Sequence, residues 1–276
     1  MNLTTFRKLY KLNSSNLLTF TNPKVIKSDS VAPTAVLHML PTATACPASG
    51  SCRSICLNMA GNQAYLKGKL ACRARRDKAF KENSQAFLNL LVVEILRFYS
   101  KNKEHKQLGT RLNGTSDYKW ESIELNITSE TVKEVKSKFN ISIYQGKINI
   151  LEAILTAIDD TTGKAIGSIL RFYDYTKRID RDFKKCLELN YHLTLSHGSR
   201  FDTFKKAIEL GLNYAAAFTT KLPKIATYKG HRLGVIDGDV TDWRPDDKAN
   251  KTHIVGLKMK RTPNQTEGQR KAFCIA

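Results

Sequence analysis

The sequence predicts an α/β protein built as a complete or partial β/α (TIM-like) barrel with a cysteine-containing loop after its first strand. Three observations carry that prediction. Short apolar or β-rich segments alternate with helical patterns through most of the 276 residues, as βαβ units of a parallel sheet do. Polar residues gather just after those segments, at the strand ends where parallel α/β folds build their sites. No glycine-rich dinucleotide or P-loop signature follows any strand. A doubly wound open sheet fits the same alternation.

The elements follow in order. Residues 1–30 are polar and basic, with Pro23 and few periodic apolar positions, and read as a basic N-terminal arm. Residues 36–40 (VLHML) form the first strand and run straight into three cysteines. A helical pattern spans 69–101. Ala71, Ala74, Lys78 and Glu82 share one stripe; after an N-cap at Asn83 or Ser84, Phe87, Leu90, Leu91, Ile95 and Phe98 make another at i, i+3, i+4 spacing. Later strands fall at 110–113, 169–175, 192–196, 214–219, 233–236 and 254–259, and helices at 130–139, 147–159, 180–189 and 201–210. One barrel-like domain over 31–262 and a tail over 263–276 complete the chain.

Four groups of polar residues follow these strands: Arg111, Asn113, Ser116 and Asp117; Tyr173, Asp174, Tyr175 and Lys177; Ser196, His197, Ser199 and Arg200; Asp237, Asp239, Asp242 and Arg244. One group would be a turn; four together suggest a rim lining one crevice. Tyr173, Asp174, Lys177, Asp117 and Asp237 are the catalytic candidates, and Asn113, Ser116, Ser196, Asp239, Asp242 and Arg244 the cofactor-binding ones.

Cys46, Cys52 and Cys56 have the spacing C-x5-C-x3-C. Three thiolates on one loop can hold three irons of a [4Fe–4S] cluster and leave the fourth open to a ligand. Alternatively Cys72 completes a four-cysteine zinc site. The missing secretory signal argues against a disulfide scaffold, and Cys186 and Cys274 suit small core positions. Asp237, Asp239 and Asp242 suit either a hard cation, though off the EF-hand spacing, or a capped turn tied to Arg244.

Lys and Arg number 45 against 25 Asp and Glu, a net charge of +20. Such an excess suits a polyanion, nucleic acid before anionic membranes. Its densest part is Arg73, Arg75, Arg76 and Lys78 after Cys72, read either as a phosphate-binding helix or as a solvated face. No apolar run of 18 residues occurs, which excludes a spanning helix; a cytoplasmic protein is expected.

The runs CPASGSCRSICLNMAGNQ, CRARRDKAF, RLNGTSDYKWE, FYDYTKR, NYHLTLS, VIDGDVTDWR and IVGLKMK, in this order from about residue 41 to 260, resemble the phage gene product 88 family. That family looks like a relative of radical S-adenosylmethionine barrels. The resemblance therefore implies a cluster on the three-cysteine loop, S-adenosylmethionine as a possible co-substrate, and the host cytoplasm as location. The cysteine spacing differs from the C-x3-C-x2-C usual in radical enzymes. Three functions follow: an iron–sulfur enzyme acting on nucleic acid or nucleotides; a zinc-stabilised nucleic-acid-binding protein of phage genome replication; or a rolling-circle initiator using a tyrosine near Lys177, a class that also needs a His-x-His pair this chain lacks.

Overall fold

Strand-forming runs of β-branched, aromatic and alanine residues are drawn into one large sheet, and the computed structural model of the chain shows how. It describes residues 2–12, 17–20, 26, 31–60, 63–219, 221–247, 251–260 and 265–275. In chain order, α1 (Leu3–Leu9) precedes β1 (Leu18–Thr19) and β2 (Thr34–Leu37). The long helical pattern resolves into α2 (Leu66–Glu82) and α3 (Ser84–Asn102). They are split at Asn83, whose backbone (φ −143°, ψ 62°) leaves the helical region. After β3 (Leu108–Arg111) comes an excursion of short pieces: β4 (Glu124–Ile127), α4 (Ser129–Phe139), β5 (Ile141–Ser142), β6 (Gly146–Asn149), α5 (Ile150–Leu155), β7 (Ile158–Asp159) and β8 (Lys164–Ala165). The helix expected over 147–159 shrinks to α5, because β6 takes its start and Asn149 caps the turn that follows. Then come β9 (Leu170–Thr176), α6 (Phe183–Glu188), β10 (Tyr191–Ser196), α7 (Thr203–Leu210), β11 (Tyr214–Phe218), β12 (Ile225–Tyr228), β13 (His231–Asp237), β14 (Ile254–Lys258) and α8 (Glu267–Phe273).

Nine strands form the main sheet in the order β1-β2-β3-β9-β10-β11-β14-β13-β12. From β2 to β13 every pair is parallel; β1 and β12 add antiparallel edges. Among the described residues no pairing joins the two edges, so the complete barrel expected from the alternation does not form: the sheet is open. Each edge is occupied by a short antiparallel strand, β1 along β2 and β12 along β13, where closure would need a parallel neighbour.

The order β2-β3-β9-β10-β11 follows the chain without reversal. Right-handed crossovers then keep the helices on one face, and the core shows this. Ala35, Leu37, Leu108, Phe172, Tyr191 and Leu193 pack with Leu91, Ile95 and Phe98 of α3. Leu195, Tyr214, Ala216, Phe218 and Ile254 pack with Phe204 and Ala207 of α7. Alternate residues point to the opposite face. That inner face carries Tyr173 against Trp243, so β2 (TAVL) and β11 (YAAAF) are buried throughout.

The arm reading of the N-terminus is corrected for its first residues. Asn2 caps α1, whose Leu3 and Phe6 are buried, and Arg7 pairs at 2.8 Å with buried Glu94. Residues 13–16, 21–25 and 27–30 lie outside the described set. The expected tail also carries structure: α8 has a capping box on Thr266, and the N–H of Ile275 bonds the carbonyl of Ala217. No helix is long and apolar enough to cross a membrane among the described residues.

Candidate functional site

The cysteine loop leaves β2 at the carboxyl edge of the sheet and is sewn to the loops of three other strands. The N–H of Asp117, after β3, bonds the carbonyl of Ala45 at 2.8 Å. After β10, the carbonyl of Gly198 accepts from the N–H groups of Gly50 and Cys52, and Arg200 N–H donates to Ala48. Ser199 Oγ donates at 3.1 Å to the Ala48 carbonyl, with the carbonyl of Lys177, after β9, at 2.7 Å. Gly50 is required here: a Cβ would stand 2.7 Å from the backbone of Ser199 and Arg200. The loop is thus positioned by backbone bonds, independent of its thiols.

Cys46, Cys52 and Cys56 are brought within reach of one another's charge. Burial pushes the Cys46 thiol up to about 12, with Asp117, Cys56 and Cys52 adding to it and Lys177 opposing. Burial also raises Cys56, against a 3.4 Å hydrogen bond from the N–H of Asn58 to its sulfur, and against Lys177 and Arg73. Both cations beside the thiols bond neutral oxygens. Lys177 Nζ donates to Ser196 Oγ at 2.7 Å, and Arg73, buried on α2, donates to the carbonyl and side-chain oxygens of Asn58. Cys72, on α2, acts on Arg73 and Arg76, and Arg73 feels both it and Cys56. Among the described residues no three His, Cys, Asp or Glu side chains are spaced for a single metal ion.

The rim residues after β3 and β9 have a different character. Asn113 Oδ1 accepts from Ser116 Oγ, Tyr118 N–H and Trp120 Nε1, and its amide donates to Tyr118 O and Tyr191 Oη. Asp174 accepts from the N–H groups of Leu112 and Asn113 and from Tyr191 Oη at 2.8 Å. Asp117 takes Thr176 Oγ1, the N–H of Lys177 and Arg181. Arg181 forks onto Glu121 at 2.8 and 2.7 Å, with both side chains fully buried. Asn113, Ser116, Asp117 and Asp174, expected as catalytic or cofactor-binding, therefore spend their hydrogen-bonding capacity on each other and on backbone. They fix the loop from 112 to 121 onto β9.

This is the run RLNGTSDYKWE. The chain belongs to the gene product 88 family. Its family model, described as Gene product 88, matches residues 11–276. No match was found among curated proteins or among solved structures. For this gene product 88 chain, FYDYTKR and VIDGDVTDWR can be read the same way.

Tyr173, a candidate nucleophile, is fully buried; its hydroxyl shares a hydrogen bond with Thr34 and its ring meets Trp243 edge-on. Burial raises its pKa. In this arrangement its ring packs on Trp243 and its hydroxyl is taken up by Thr34. Asp242 pairs with Arg111 at 2.6 Å, and Arg244 binds the Thr241 carbonyl and Asp247. Asp237 accepts from Asp239 N–H, and Asp239 from Lys258 N–H. The three aspartates thus divide between a tied turn and an ion pair, the capped-turn reading of that segment. Arg73 and Arg76 are buried, Arg76 donating to the His38 carbonyl at 3.0 Å, whereas Lys78 is exposed and lines a surface depression with Arg75, Leu9, Tyr10, Lys11 and Glu82. The expected phosphate-binding helix is therefore divided: Arg73 reaches the cysteine loop at Asn58, Arg76 reaches His38 at the end of β2, and Lys78 stays at the surface.

Lys177 and Asp117 are the rim residues whose charge reaches the cysteines, and Ser196 holds the Lys177 ammonium. Gly50, Asn58 and Gly198, which hold the loop, went unread in the sequence, and Ser199 was read only as a rim residue. A glycine on each of two strand-end loops that meet was the signal available.

Proposed function

We propose that the protein is a metalloprotein of the partial β/α-barrel kind, in which Cys46, Cys52 and Cys56 hold a [4Fe–4S] cluster at the carboxyl edge of the sheet and a nucleotide or nucleic-acid substrate binds beside it. One observation carries the reading: three thiols of one anchored loop gather beside Lys177 and Arg73, two cations whose hydrogen bonds go to neutral oxygens. The buried Arg73 guanidinium calls for a negative partner, and three thiolates around a cluster would supply it. A tetrahedral zinc site needs its sulfurs about 3.8 Å apart, given 2.3 Å bonds, whereas the wider core of a cluster takes a broader spread.

When bound, such a cluster supplies one-electron chemistry and an iron open to substrate or to S-adenosylmethionine. The chain's own part is more concrete. Cys46 and Cys56 are half-buried, and the Asn58 N–H favours the Cys56 thiolate. Lys177 stands between thiols and rim, where its ammonium can also meet a phosphate. The +20 charge draws polyanions towards the molecule.

Purification without oxygen should give a brown protein carrying about four irons per chain. Cys46→Ser, Cys52→Ser and Cys56→Ser should each lose the colour, and Cys72→Ser should keep it. A colourless protein with one zinc per chain, lost on Cys72→Ser as well, would overturn the reading in favour of a structural zinc site.

A further inference from the structure

The inner face of the sheet, deeper than Ser196, holds polar groups that nothing described so far uses. Tyr175 pairs in register with Thr194, and Tyr173 with His192, on the adjacent parallel strands β9 and β10. Phe172, Tyr191 and Leu193 lie in the helix-side core, so Tyr175, His192 and Thr194 point the other way. Tyr175 Oη, His192 Nε2 and Thr194 Oγ1 are all buried without a hydrogen-bond partner among the described residues. Thr194 has no exposed surface. Buried polar atoms are nearly always satisfied, and three orphans side by side call for an explanation. The arginine in front of them is already neutralised: Arg111 lies 5.1 Å over the Tyr175 ring and is paired with Asp242.

The chemistry these groups ask for is specific. Two hydroxyls can each donate and accept. Burial lowers His192 to about 4, reinforced by Arg244 and opposed by Asp246, so its ring is neutral at pH 7. A phosphate or carboxylate would find no uncommitted positive charge. A flat uncharged ring with donors and acceptors on its edge would find both hydrogen bonds and a planar guanidinium–tyrosine wall. On the next strand, Ser196 pairs in register with Ala215, so the inward residues beside this group, Ala215 and Ala217, carry only methyl side chains. Residues 241–247 strap the face, with Trp243 on Tyr173 and Asp242 on Arg111.

We infer that Tyr175, Thr194 and His192, facing Arg111, form an internal subsite for a nucleobase. The site deepens the reading above by naming the group recognised, and takes from it only the carboxyl edge as entrance; base binding itself needs no metal. The test is calorimetric titration of the full-length protein with adenosine, guanosine, cytidine and uridine, repeated on the Cys46→Ser, Cys52→Ser, Cys56→Ser triple variant. One nucleoside should bind saturably to both proteins. Tyr175→Phe and Thr194→Val should each weaken it about tenfold, while their melting temperatures stay level or rise because an orphaned polar atom is removed. If no nucleoside saturates, or if both variants keep full affinity, the subsite is overturned and the orphaned groups are satisfied by water alone. Iron lost with binding retained would sink the metal reading and leave this one standing.

Discussion

Two polar clusters share the carboxyl edge of one sheet and differ in how their hydrogen bonds are spent. Around Asn113, Asp117, Asp174, Glu121 and Arg181, nearly every donor meets an acceptor within the protein. Around Cys46, Cys52, Cys56, Lys177 and Arg73, the thiols are half-buried, with Cys46 and Cys56 raised by desolvation, and the cations rest on neutral oxygens. Both clusters contain the residue types that chemistry uses. The first is closed, so it can only hold structure. The second is left open, and so are the orphaned groups of the inner face, which is the condition for receiving a ligand.

The comparison breaks most visibly if the closed cluster proves dispensable. Glu121→Ala strands the buried Arg181 guanidinium and should cost about 4 kcal/mol in urea unfolding. Asn113→Ala orphans several partners at once and should cost about 3 kcal/mol by the same measurement. A loss below about 1 kcal/mol in either would mean that the network is not what holds the loop from 112 to 121.

Acidity sharpens the same contrast. Burial holds the Asp174 carboxyl up at about 6 despite Arg111 and Tyr191. The folded state therefore keeps a proton that the unfolded chain, with an ordinary carboxyl near 3.9, has released. This group weakens the fold above pH 6 and ceases to do so as pH falls through 6 towards 4. Stability measured from pH 7 to pH 5 should rise by about 1.3 kcal/mol from this group, and Asp174→Asn should flatten that part of the profile. An unchanged slope in the variant would assign the pH dependence elsewhere.

The smallest stability effect is expected in the open cluster. Metal-free Cys46→Ser should shift unfolding by under about 1 kcal/mol, because the loop is held by the backbone bonds to Gly198, Ala45 and Ala48. Its metal content should nonetheless fall to background. Smaller still, Lys78→Ala on the exposed side of α2 should leave the fold untouched. If that side meets phosphates, the salt slope of single-stranded DNA binding should drop by about 0.7.

Much of this was legible in the chain. The parallel strands β9, β10, β11, β13 and β14 fall where alternation put them, within a residue or two; β11, buried on both faces, reads as a short apolar run. Strands β4 to β8 were not legible: they are two to four residues long and their pairing partners lie beyond a local window. Rim membership was legible as well, because polar residues at a strand end announce themselves. Which rim residues were free was not, because Asp117 looks the same in a sequence whether or not Arg181, 64 positions away, has claimed it.

The sequence by itself determined the α/β class, the parallel sheet, the grouping of three cysteines after its first parallel strand, and the +20 charge. These are local or additive properties. The tertiary structure decided that the sheet stays open, that Arg73 and Arg76 turn inward, that Asn113 and Asp174 are scaffold, and that Tyr175 and Thr194 stand unpartnered side by side. Each of those depends on which distant group fills a hydrogen bond or covers a face, and only the folded chain brings those groups together.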